Sequence, residues 1–356
     1  MGPTGTTGMR SLLRDLPKAE LHLHLDGALR PATAAELAAA AGRALTLEEA
    51  RLRMIAPERC RDQAELLTFF DLPISLLQTV DALERSAAEL VEDLAADGVV
   101  YAEIRWAPRL HLEQGLSVRD VIAAVAAGVD RARGELGSGA PVIGLIVTAM
   151  RSHPPAANVE LARTAGSFPG TVVAFDLAGP EATYPAPPHA AAFRAAEEAG
   201  LSLTAHAGEI PGSERVREVL DFGVQRVAHG VTAAGDESLM ELLRERDVTL
   251  DLCPTSNVQA GIVPSLAQHP VASLHRSGVS VTISTDNRTV SNTTLSDEME
   301  RVAAATGLDR PELADIAVNA FRRSFAPRAA MARLEADAAE RWRGWADGAE
   351  PAISSG

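Results

Sequence analysis

Short apolar runs alternate along this chain with longer amphipathic segments. The runs are rich in Val, Ile and Leu, which is typical of strands buried on both faces of a parallel sheet. The segments between them are rich in Ala, carry Glu and Arg, and repeat with the period of a helix. Eight runs are present: 19–25, 99–106, 142–150, 171–177, 201–205, 226–228, 248–252 and 279–284. A strand followed by a helix, repeated eight times, predicts an α/β fold with a closed (β/α)8 barrel.

The segment between the first two runs is too long for one crossover helix, so we predict extra helices inserted after the first strand. They include 34–41 and a longer helical pattern over 62–96, which Pro73 should break or kink. An insertion at this point lies at the end of the barrel where active sites form, and it can cover the mouth. Residues 309–346 have a helical pattern again and predict a helical C-terminal segment.

No linker divides the chain, so residues 13–346 are predicted to form a single domain. Residues 1–12 are rich in Gly and Thr and have no apolar core of a signal peptide, and we predict a disordered leader there. Residues 347–356 are expected to form a frayed tail.

Charge and cysteine usage narrow the possible partners. The formal net charge is −15, which argues against a nucleic acid polymer as the ligand, because such proteins need a basic surface. Cys60 and Cys253 are the two cysteines, and they indicate a reducing, cytoplasmic setting instead of a disulfide framework. No apolar stretch is long enough to span a bilayer, so no membrane partner is expected. A small, uncharged or cationic molecule is the expected ligand.

Polar side chains stand at the ends of several predicted strands. His22 and His24 are two residues apart in the first run, so their side chains point to the same side of a strand. His206, His229 and Asp286 end the fifth, sixth and eighth runs. Because barrel enzymes build their sites at the carboxyl ends of the strands, these five side chains are predicted to meet at one rim.

Three imidazoles and one carboxylate are a donor set that suits Zn²⁺, with one position left for water. Bound zinc lowers the pKa of its water from about 15.7 toward 7, which predicts a hydrolase. We interpret His229 as a base that takes the proton and orients the hydroxide, and Glu209 as a proton donor. The predicted zinc ligands are His22, His24, His206 and Asp286.

The other polar residues near the strand ends are less informative: one has two possible roles, and the rest are interpreted as structural or surface residues. Asp176 ends the fourth run and could cap the next helix, or the backbone N–H groups of 177–179 could be exposed near the mouth. Arg105 and Trp106 are interpreted as barrel packing with a salt bridge. The remaining histidines are predicted to lie on the surface: His111, His153, His189, His269 and His275.

Motifs over nearly the whole chain resemble the adenosine deaminases of the amidohydrolase superfamily. They occupy 17–27, 101–105, 176–179, 206–209, 229–230, 253–257, 284–287 and 319–325. The resemblance implies a zinc-dependent (β/α)8 enzyme that converts adenosine or deoxyadenosine to inosine and ammonia. It also implies that the four ligands above bind zinc, that Glu209 protonates purine N1, and that His229 and Asp286 orient the hydroxide that attacks C6.

The resemblance extends to the substrate contacts. It implies that the backbone N–H of Gly179 donates to purine N3 and that Asp26 accepts a ribose hydroxyl. Leu66, Leu67 and Phe70 resemble a hydrophobic gate over the pocket, although plain helix packing explains them equally well. Many members have a second aspartate where this chain has Asn287, and that residue holds purine N7. An amide donates to N7 at any pH, so we expect Asn287 to keep the contact.

Two other functions remain open at this point. One is the deamination of another 6-aminopurine, namely adenine, a 5′-modified adenosine or aminodeoxyfutalosine. Asp26 is the residue that distinguishes a nucleoside from free adenine, because a side chain placed for a sugar hydroxyl has no partner on a free base. The other is a non-catalytic nucleoside-binding protein, which would be expected to lack a metal ligand or the proton donor.

Overall fold

Eight parallel strands form a barrel in the computed structural model, which describes residues 9–348. Neighbouring strands pair in the order of the sequence from β1 to β8, as the (β/α)8 prediction requires. The strands are β1 Lys18–His24, β2 Val99–Trp106, β3 Val142–Met150, β4 Val172–Ala178, β5 Ser202–Ala207, β6 Arg226–His229, β7 Thr249–Leu252 and β8 Ser280–Ile283. All eight predicted strands are confirmed, and no bound differs by more than two residues.

The barrel closes through the segment that follows β8. The backbone N–H of His24 donates to the carbonyl of Asp286 over 2.7 Å, and the N–H of Asp286 donates to the carbonyl of His22 over 3.0 Å. Leu23 and Asp286 form a parallel bridge between these two bonds. The seam between the first and last strands therefore lies at three of the predicted zinc ligands.

Helices cover the outer face of the barrel. They are α1 Met9–Asp15, α2 Pro31–Ala40, α3 Leu47–Met54, α4 Gln63–Leu67, α5 Asp71–Leu76, α6 Val80–Ala96, α7 Val118–Leu136, α8 Pro155–Ala165, α9 Ala190–Glu198, α10 Glu214–Leu220, α11 Glu237–Glu245, α12 Pro254–Gln259, α13 Val271–Arg276, α14 Leu295–Thr306, α15 Arg310–Arg322 and α16 Arg328–Ala346. Apolar faces of most of these helices pack on the strands in one large core, and a smaller separate cluster contains Ala56, Cys60, Leu66, Ala260 and Val290. Within residues 9–348, no helix combines the length and the apolar character needed to cross a membrane.

The inserted helices α2 to α6 confirm the predicted insertion between β1 and β2, but the break within 62–96 is not where Pro73 predicted it. Pro73 lies in the first turn of α5, where its missing N–H removes no helical hydrogen bond. The helical pattern is instead interrupted by a 3₁₀ turn at Thr68–Phe70 and again after Leu76. Thr79 then caps α6 by accepting the N–H of Ala82.

The two ends of the chain differ in how well they were predicted. The helical C-terminal segment is confirmed by α15 and α16, and the Asp309 side chain begins α15 with a capping box. The leader prediction is wrong for residues 9–12, which belong to α1, because the buried Leu13 anchors this helix to the core. Residues 1–8 and 349–356 lie outside the described residues, and with them the rest of the predicted leader and most of the predicted tail.

A group of buried charges fills the barrel below the strand ends. This lower cluster consists of Tyr101, Glu103, Arg226 and Asp251. The Arg226 guanidinium donates to Asp251, to Glu103 and to the backbone carbonyl of Arg323, while the Tyr101 hydroxyl donates to Glu103. The predicted packing role of Arg105 and Trp106 is also confirmed: both are fully buried, and Arg105 pairs with Asp176.

Candidate active site

The four predicted zinc ligands converge at the upper rim of the barrel. This metal cluster consists of His22 and His24 on β1, His206 on β5 and Asp286 after β8. The Nε2 atom of His24 lies 3.4 Å from Nε2 of His22 and 3.2 Å from Nε2 of His206. The Asp286 Oδ1 atom lies 3.1 Å from His22 Nε2 and 3.3 Å from His24 Nε2. Side chains far apart in the sequence thus present four donor atoms to one point.

These separations fit a tetrahedral metal ion. A tetrahedron whose centre-to-corner distance is about 2.05 Å, the usual Zn–N bond length, has edges of about 3.3 Å. Burial lowers the pKa of His22 and of His24, so both rings are neutral near pH 7, which is the form that binds a metal. Neutral imidazole nitrogens facing one another at this distance cannot all be satisfied by hydrogen bonds to each other. The donor set therefore fits a cation at its centre.

Neighbouring residues hold the donor atoms in this orientation. The Asp176 carboxylate lies 3.1 Å from His206 Nδ1, so it accepts that N–H and leaves the Nε2 lone pair facing the cluster. Thr148 and Arg105 donate to the other oxygen of Asp176. The Ser256 hydroxyl donates to Asp286 Oδ2 over 2.6 Å and leaves Oδ1 directed at the imidazoles. Asp176 lies inside β4 and caps no helix, so the capping interpretation was wrong.

Glu209 and His229 lie beside the metal cluster. His229 Nε2 is 3.4 Å from Glu209 Oε1, and both side chains are largely buried. Burial, together with the charge of Glu181, raises the pKa of Glu209 to about 7. Both oxygens of Glu181 accept backbone N–H groups, from Gly208 and from Glu209 itself, over 2.9 and 2.7 Å. A carboxyl group that is substantially protonated near neutral pH is thus fixed next to the metal cluster.

The backbone is unusual where this chemistry is located. His229 and Asp286 have φ angles of 65° and 62°, in the left-handed region that residues other than glycine rarely adopt. Each of them ends or follows a barrel strand, and the turn directs its side chain over the mouth of the barrel. Backbone strain of this kind is concentrated at functional sites in proteins, which agrees with the roles predicted for these residues.

A cavity of about 320 Å³ opens over the metal cluster and Glu209. The helix α4 and the 3₁₀ turn after it cover the cavity, and Leu66, Leu67 and Phe70 line it from there. Three further lining residues are those predicted to contact a substrate: Asp26, Gly179 and Asn287. The volume falls in the range usual for small-molecule sites.

The substrate-contact residues have features that packing alone does not explain. The Asp26 Oδ1 atom is buried without a hydrogen-bond partner, and the same is true of Asn287 Oδ1. The Asn287 side chain lies against Gly27, where a Cβ atom would come within 2.1 Å of Asn287 Oδ1, so position 27 has room for glycine only. Gly179 forms part of the cavity wall and has a φ of 107°, in the region that favours glycine.

The surface prediction was wrong for three histidines. His111, His189 and His269 are buried, and each ring has a specific partner. His111 Nδ1 pairs with the carbonyl of Leu77, His189 bridges Asn158 and the carbonyl of Arg151, and His269 pairs with Asn257. These interactions compensate for the loss of water around a polar ring. His153 and His275 are half-buried.

Several residues of the site were missed by the sequence analysis. Ser256 and Asn257 follow β7, so the strand-end rule that found His229 and Asp286 could have found them as well. Glu181 follows β4 as closely as Asp286 follows β8, so the same rule could have found it. No comparable signal exists for His269, which lies in a connecting segment and reaches the site only through the fold.

The fold and the donor set together define a class. A (β/α)8 barrel with two histidines on its first strand, a third on its fifth and an aspartate after its eighth is the architecture of a hydrolase built around a metal site. Comparison with known proteins gives the family. The profile of the family described as adenosine deaminase matches residues 17–340. The chain belongs to the adenosine deaminase family of hydrolytic deaminases.

Individual relatives agree with this assignment. An adenosine deaminase of Mycobacteroides abscessus is 41% identical over 330 residues, which is 87% of this chain and 91% of that protein. The crystal structure of an adenine deaminase from Arthrobacter aurescens is 28% identical with a TM-score of 0.84, and covers 91% of this chain and 98% of its own. A zinc-bound amidohydrolase from Burkholderia ambifaria is 26% identical with a TM-score of 0.87, over 97% and 96% of the two chains.

Proposed function

We propose that this protein hydrolyses the 6-amino group of adenosine and deoxyadenosine, giving inosine and ammonia, with Zn²⁺ bound by the metal cluster. Family membership supports the reaction, and the geometry around the cavity supports the assignment of roles to residues. Four donor atoms, a carboxyl group with a raised pKa and a cavity of suitable size lie within one buried space. The non-catalytic alternative is disfavoured, because neither a metal ligand nor the proton donor is missing.

Zinc is the ion that the donor set favours. Three imidazole nitrogens and one carboxylate oxygen suit a borderline ion with tetrahedral geometry, and the amidohydrolase of Burkholderia ambifaria contains zinc. When bound, zinc lowers the pKa of a water molecule far enough to supply a nucleophile near neutral pH. The chain itself fixes the four donors through Asp176 and Ser256.

Glu209 supplies the proton that the purine ring needs. With its pKa raised to about 7, a large share of the carboxyl group is protonated at neutral pH and can donate its proton to purine N1. Protonation of N1 withdraws electron density from C6 and favours attack there. The His229 ring lies beside the metal cluster that contains Asp286, and both residues line the cavity, so they orient the attacking oxygen toward C6. One proton of the attacking water passes to the amino group, which leaves the tetrahedral carbon as ammonia, and the other returns to Glu209 as the C6 carbonyl forms.

Two groups fix the purine ring by its edge nitrogens. The backbone N–H of Gly179, in the cavity wall, donates to N3. The Asn287 amide donates to N7, with its oxygen placed against Gly27. An amide needs no proton uptake to donate, so this contact is independent of pH.

The unpartnered Asp26 oxygen is the observation that carries the choice of a nucleoside. A buried carboxylate oxygen without a donor is costly, and a ribose hydroxyl would supply that donor. A nucleotide is a poorer fit: among the cavity-lining residues that the structure describes there is no Lys or Arg to pair with a 5′-phosphate. Adenine is the second candidate, because the adenine deaminase of Arthrobacter aurescens shares the fold, but adenine would leave Asp26 Oδ1 unpaired.

A substrate panel tests the proposal. We expect the zinc-loaded protein to release ammonia from adenosine and deoxyadenosine with a higher kcat/KM than from adenine, methylthioadenosine or AMP. Asp26→Ala should lower kcat/KM for adenosine about tenfold, since it removes a buried hydrogen bond to the ribose, and should leave the low rate on adenine unchanged. A clear preference of the native protein for adenine would contradict the proposal, as would the absence of both bound zinc and ammonia release.

A further inference from the structure

A chain of three buried side chains leads from the start of α13 to the active site. His269 Nε2 lies 3.1 Å from Asn257 Oδ1, and Asn257 Nδ2 lies 3.0 Å from His229 Nδ1. At the far end, the backbone N–H of Val271 lies 3.2 Å from His269 Nδ1. All three side chains are at most 4% exposed, so water does not compete for these bonds. None of the reaction steps described above uses His269 or Asn257.

The direction of every hydrogen bond in this chain follows from its first member. A backbone N–H can only donate, so His269 Nδ1 is an acceptor and carries no proton. A neutral imidazole has one proton, which therefore lies on His269 Nε2 and is donated to Asn257 Oδ1. The Asn257 amide nitrogen then points the other way and donates to His229 Nδ1. His229 Nδ1 is thus also an acceptor, and the proton of the neutral ring lies on Nε2.

Other arrangements of the same groups lose hydrogen bonds. Turning the His269 ring over would put carbon atoms opposite both Val271 and Asn257. A doubly protonated His269 would direct an N–H at the N–H of Val271. Turning the Asn257 amide over would direct its NH₂ at the N–H of His269. In this buried position each alternative leaves polar groups unsatisfied, which costs about 1–3 kcal/mol per group.

We propose that Asn257 and His269 are positioning residues that fix His229 with its proton on Nε2, so that His229 acts as a hydrogen-bond donor to the attacking oxygen. The proposal rests on the proposed function, because it assigns a role within the same site. It replaces the base role that the sequence predicted for His229, since a nitrogen that carries a proton cannot accept another. The proton of the attacking water is then taken up by a carboxylate of the site, Asp286 or Glu209 after it has protonated N1.

The geometry agrees with a donor at this position. His229 Nε2 faces the cavity beside Glu209 Oε1 and the metal cluster, where an N–H can bond a lone pair of the attacking oxygen. The positive φ of His229 directs the ring into the cavity, and Asn257 prevents it from changing tautomer. Histidines at functional sites commonly have their tautomer set by the bond that the second ring nitrogen makes.

The tautomer is directly measurable. In zinc-loaded protein labelled with ¹⁵N-histidine, the ring nitrogens of His229 are assigned by comparison with His229→Gln. We expect Nε2 to have the chemical shift of a protonated nitrogen and Nδ1 that of an unprotonated one. The opposite pattern in the native protein would overturn the proposal. The NMR measurement does not depend on turnover. Failure of the adenosine assay would therefore refute the proposed function, whereas the tautomer of His229 is decided by the NMR spectrum alone.

Asn257→Asp separates a donor from a base. The isosteric carboxylate can only accept, so it favours a proton on His229 Nδ1 and an unprotonated Nε2. For that state we expect kcat to fall about tenfold or more while KM and zinc content change by less than about twofold. If the NMR spectrum instead shows that both ring nitrogens of His229 are protonated, Nε2 can still donate, and we expect kcat to stay near the native value. If His229 acted as a base, kcat would be kept when Nε2 is unprotonated and lost when Nε2 is protonated. That result would overturn the donor role.

A pair of substitutions at His269 tests the far end of the chain and controls for folding. His269→Gln retains an N–H group that can donate to Asn257, and we expect the native tautomer and most of kcat. His269→Leu removes that donor and frees the Asn257 amide to rotate, so we expect a mixed tautomer signal at His229 and a reduced kcat. Equal kcat and equal NMR spectra in the two variants would show that His269 has no positioning role.

Discussion

The lower cluster and the metal cluster are both buried in the same barrel, and they differ in how completely their polar atoms are hydrogen-bonded. In the lower cluster, every guanidinium nitrogen of Arg226 donates to an oxygen, and each oxygen of Glu103 and of Asp251 accepts at least one bond. In the metal cluster, imidazole nitrogens face one another and a carboxylate oxygen. Nearby, Asp26 Oδ1 has no partner. A fully paired group holds the fold together, whereas an incompletely paired one indicates a place for a ligand.

Two side chains connect the groups. Arg105 donates to Asp176 above it and to the backbone carbonyl of Leu21, and it lies 3.9 Å from Asp251 below. Asp176 in turn holds His206. The paired network therefore reaches up to one of the metal donors and fixes it from behind. Substitutions in and around the metal cluster should reduce turnover, whereas substitutions in the lower cluster should reduce stability.

Glu209→Gln should give the largest effect. The amide cannot donate the proton that the purine requires, and the loss of a general acid lowers kcat by about 10²–10⁴-fold. Because glutamine has nearly the same shape as glutamate, we expect one zinc per chain and an unchanged melting temperature. Stopped assays of ammonia release, with metal analysis of the same sample, measure both activity and zinc content. An unchanged kcat would remove Glu209 from the mechanism.

Arg226→Met should give the next largest effect, but on stability. Removing one partner of a buried ion pair leaves Glu103 and Asp251 without their cation, which costs about 3–5 kcal/mol of unfolding free energy. We expect kcat per folded molecule to change by less than about twofold, because the lower cluster does not line the cavity over the metal cluster. Denaturant titration of the variant checks the first expectation.

Arg276→Met is the matched control for that experiment. Arg276 pairs with Glu312 over 2.6 Å, but its side chain is 52% exposed, and surface pairs of this kind contribute about 0–1 kcal/mol. Equal losses in the two variants would mean that the lower cluster has no special role in stability. A large loss of kcat in Arg226→Met would mean that the two clusters are not separable.

Asn287→Ala should have a moderate effect. It removes a single hydrogen bond to the purine, so kcat/KM for adenosine should fall about tenfold, with zinc content unchanged. Side-by-side kinetics with the native protein measure this effect. A value within about twofold of the native one would show that the contact with N7 is unimportant.

The pH profile should show the smallest effect. The protonated form of Glu209 is the active one, and its pKa is about 7, so kcat should be highest below that pH and fall as the pH rises through it. The charge of Glu181 contributes to raising this pKa, so Glu181→Gln should move the falling limb to lower pH. Glu214→Gln, at a position away from the cavity lining, should leave the profile in place. A limb that moves to higher pH in Glu181→Gln would contradict this cause.

The sequence was informative where a local pattern has one structural meaning. Apolar runs of strand length predicted the eight strands, and their carboxyl ends predicted where His206 and Asp286 would meet His22 and His24. It was uninformative where burial depends on distant parts of the chain. His269 has no apolar periodicity around it that would signal burial, yet it lies 3.1 Å from Asn257 in the folded protein.

Local rules also failed at helix boundaries. Pro73 predicted a break, but a proline in the first turn of a helix is tolerated, and the sequence did not show that a new helix begins at Asp71. Residues 9–12 resembled a leader by composition, yet α1 packs through Leu13. In both cases the contacts that decide the outcome are tertiary.

The seam between β1 and the segment after β8 has a consequence for how the protein is made. His22 and His24 leave the ribosome more than 250 residues before Asp286 does. Until then the nascent chain has no complete set of donors, and the first strand lacks its last neighbour. With zinc bound as proposed, metal capture depends on completion of the barrel, and we expect translation products truncated before Asp286 to be metal-free.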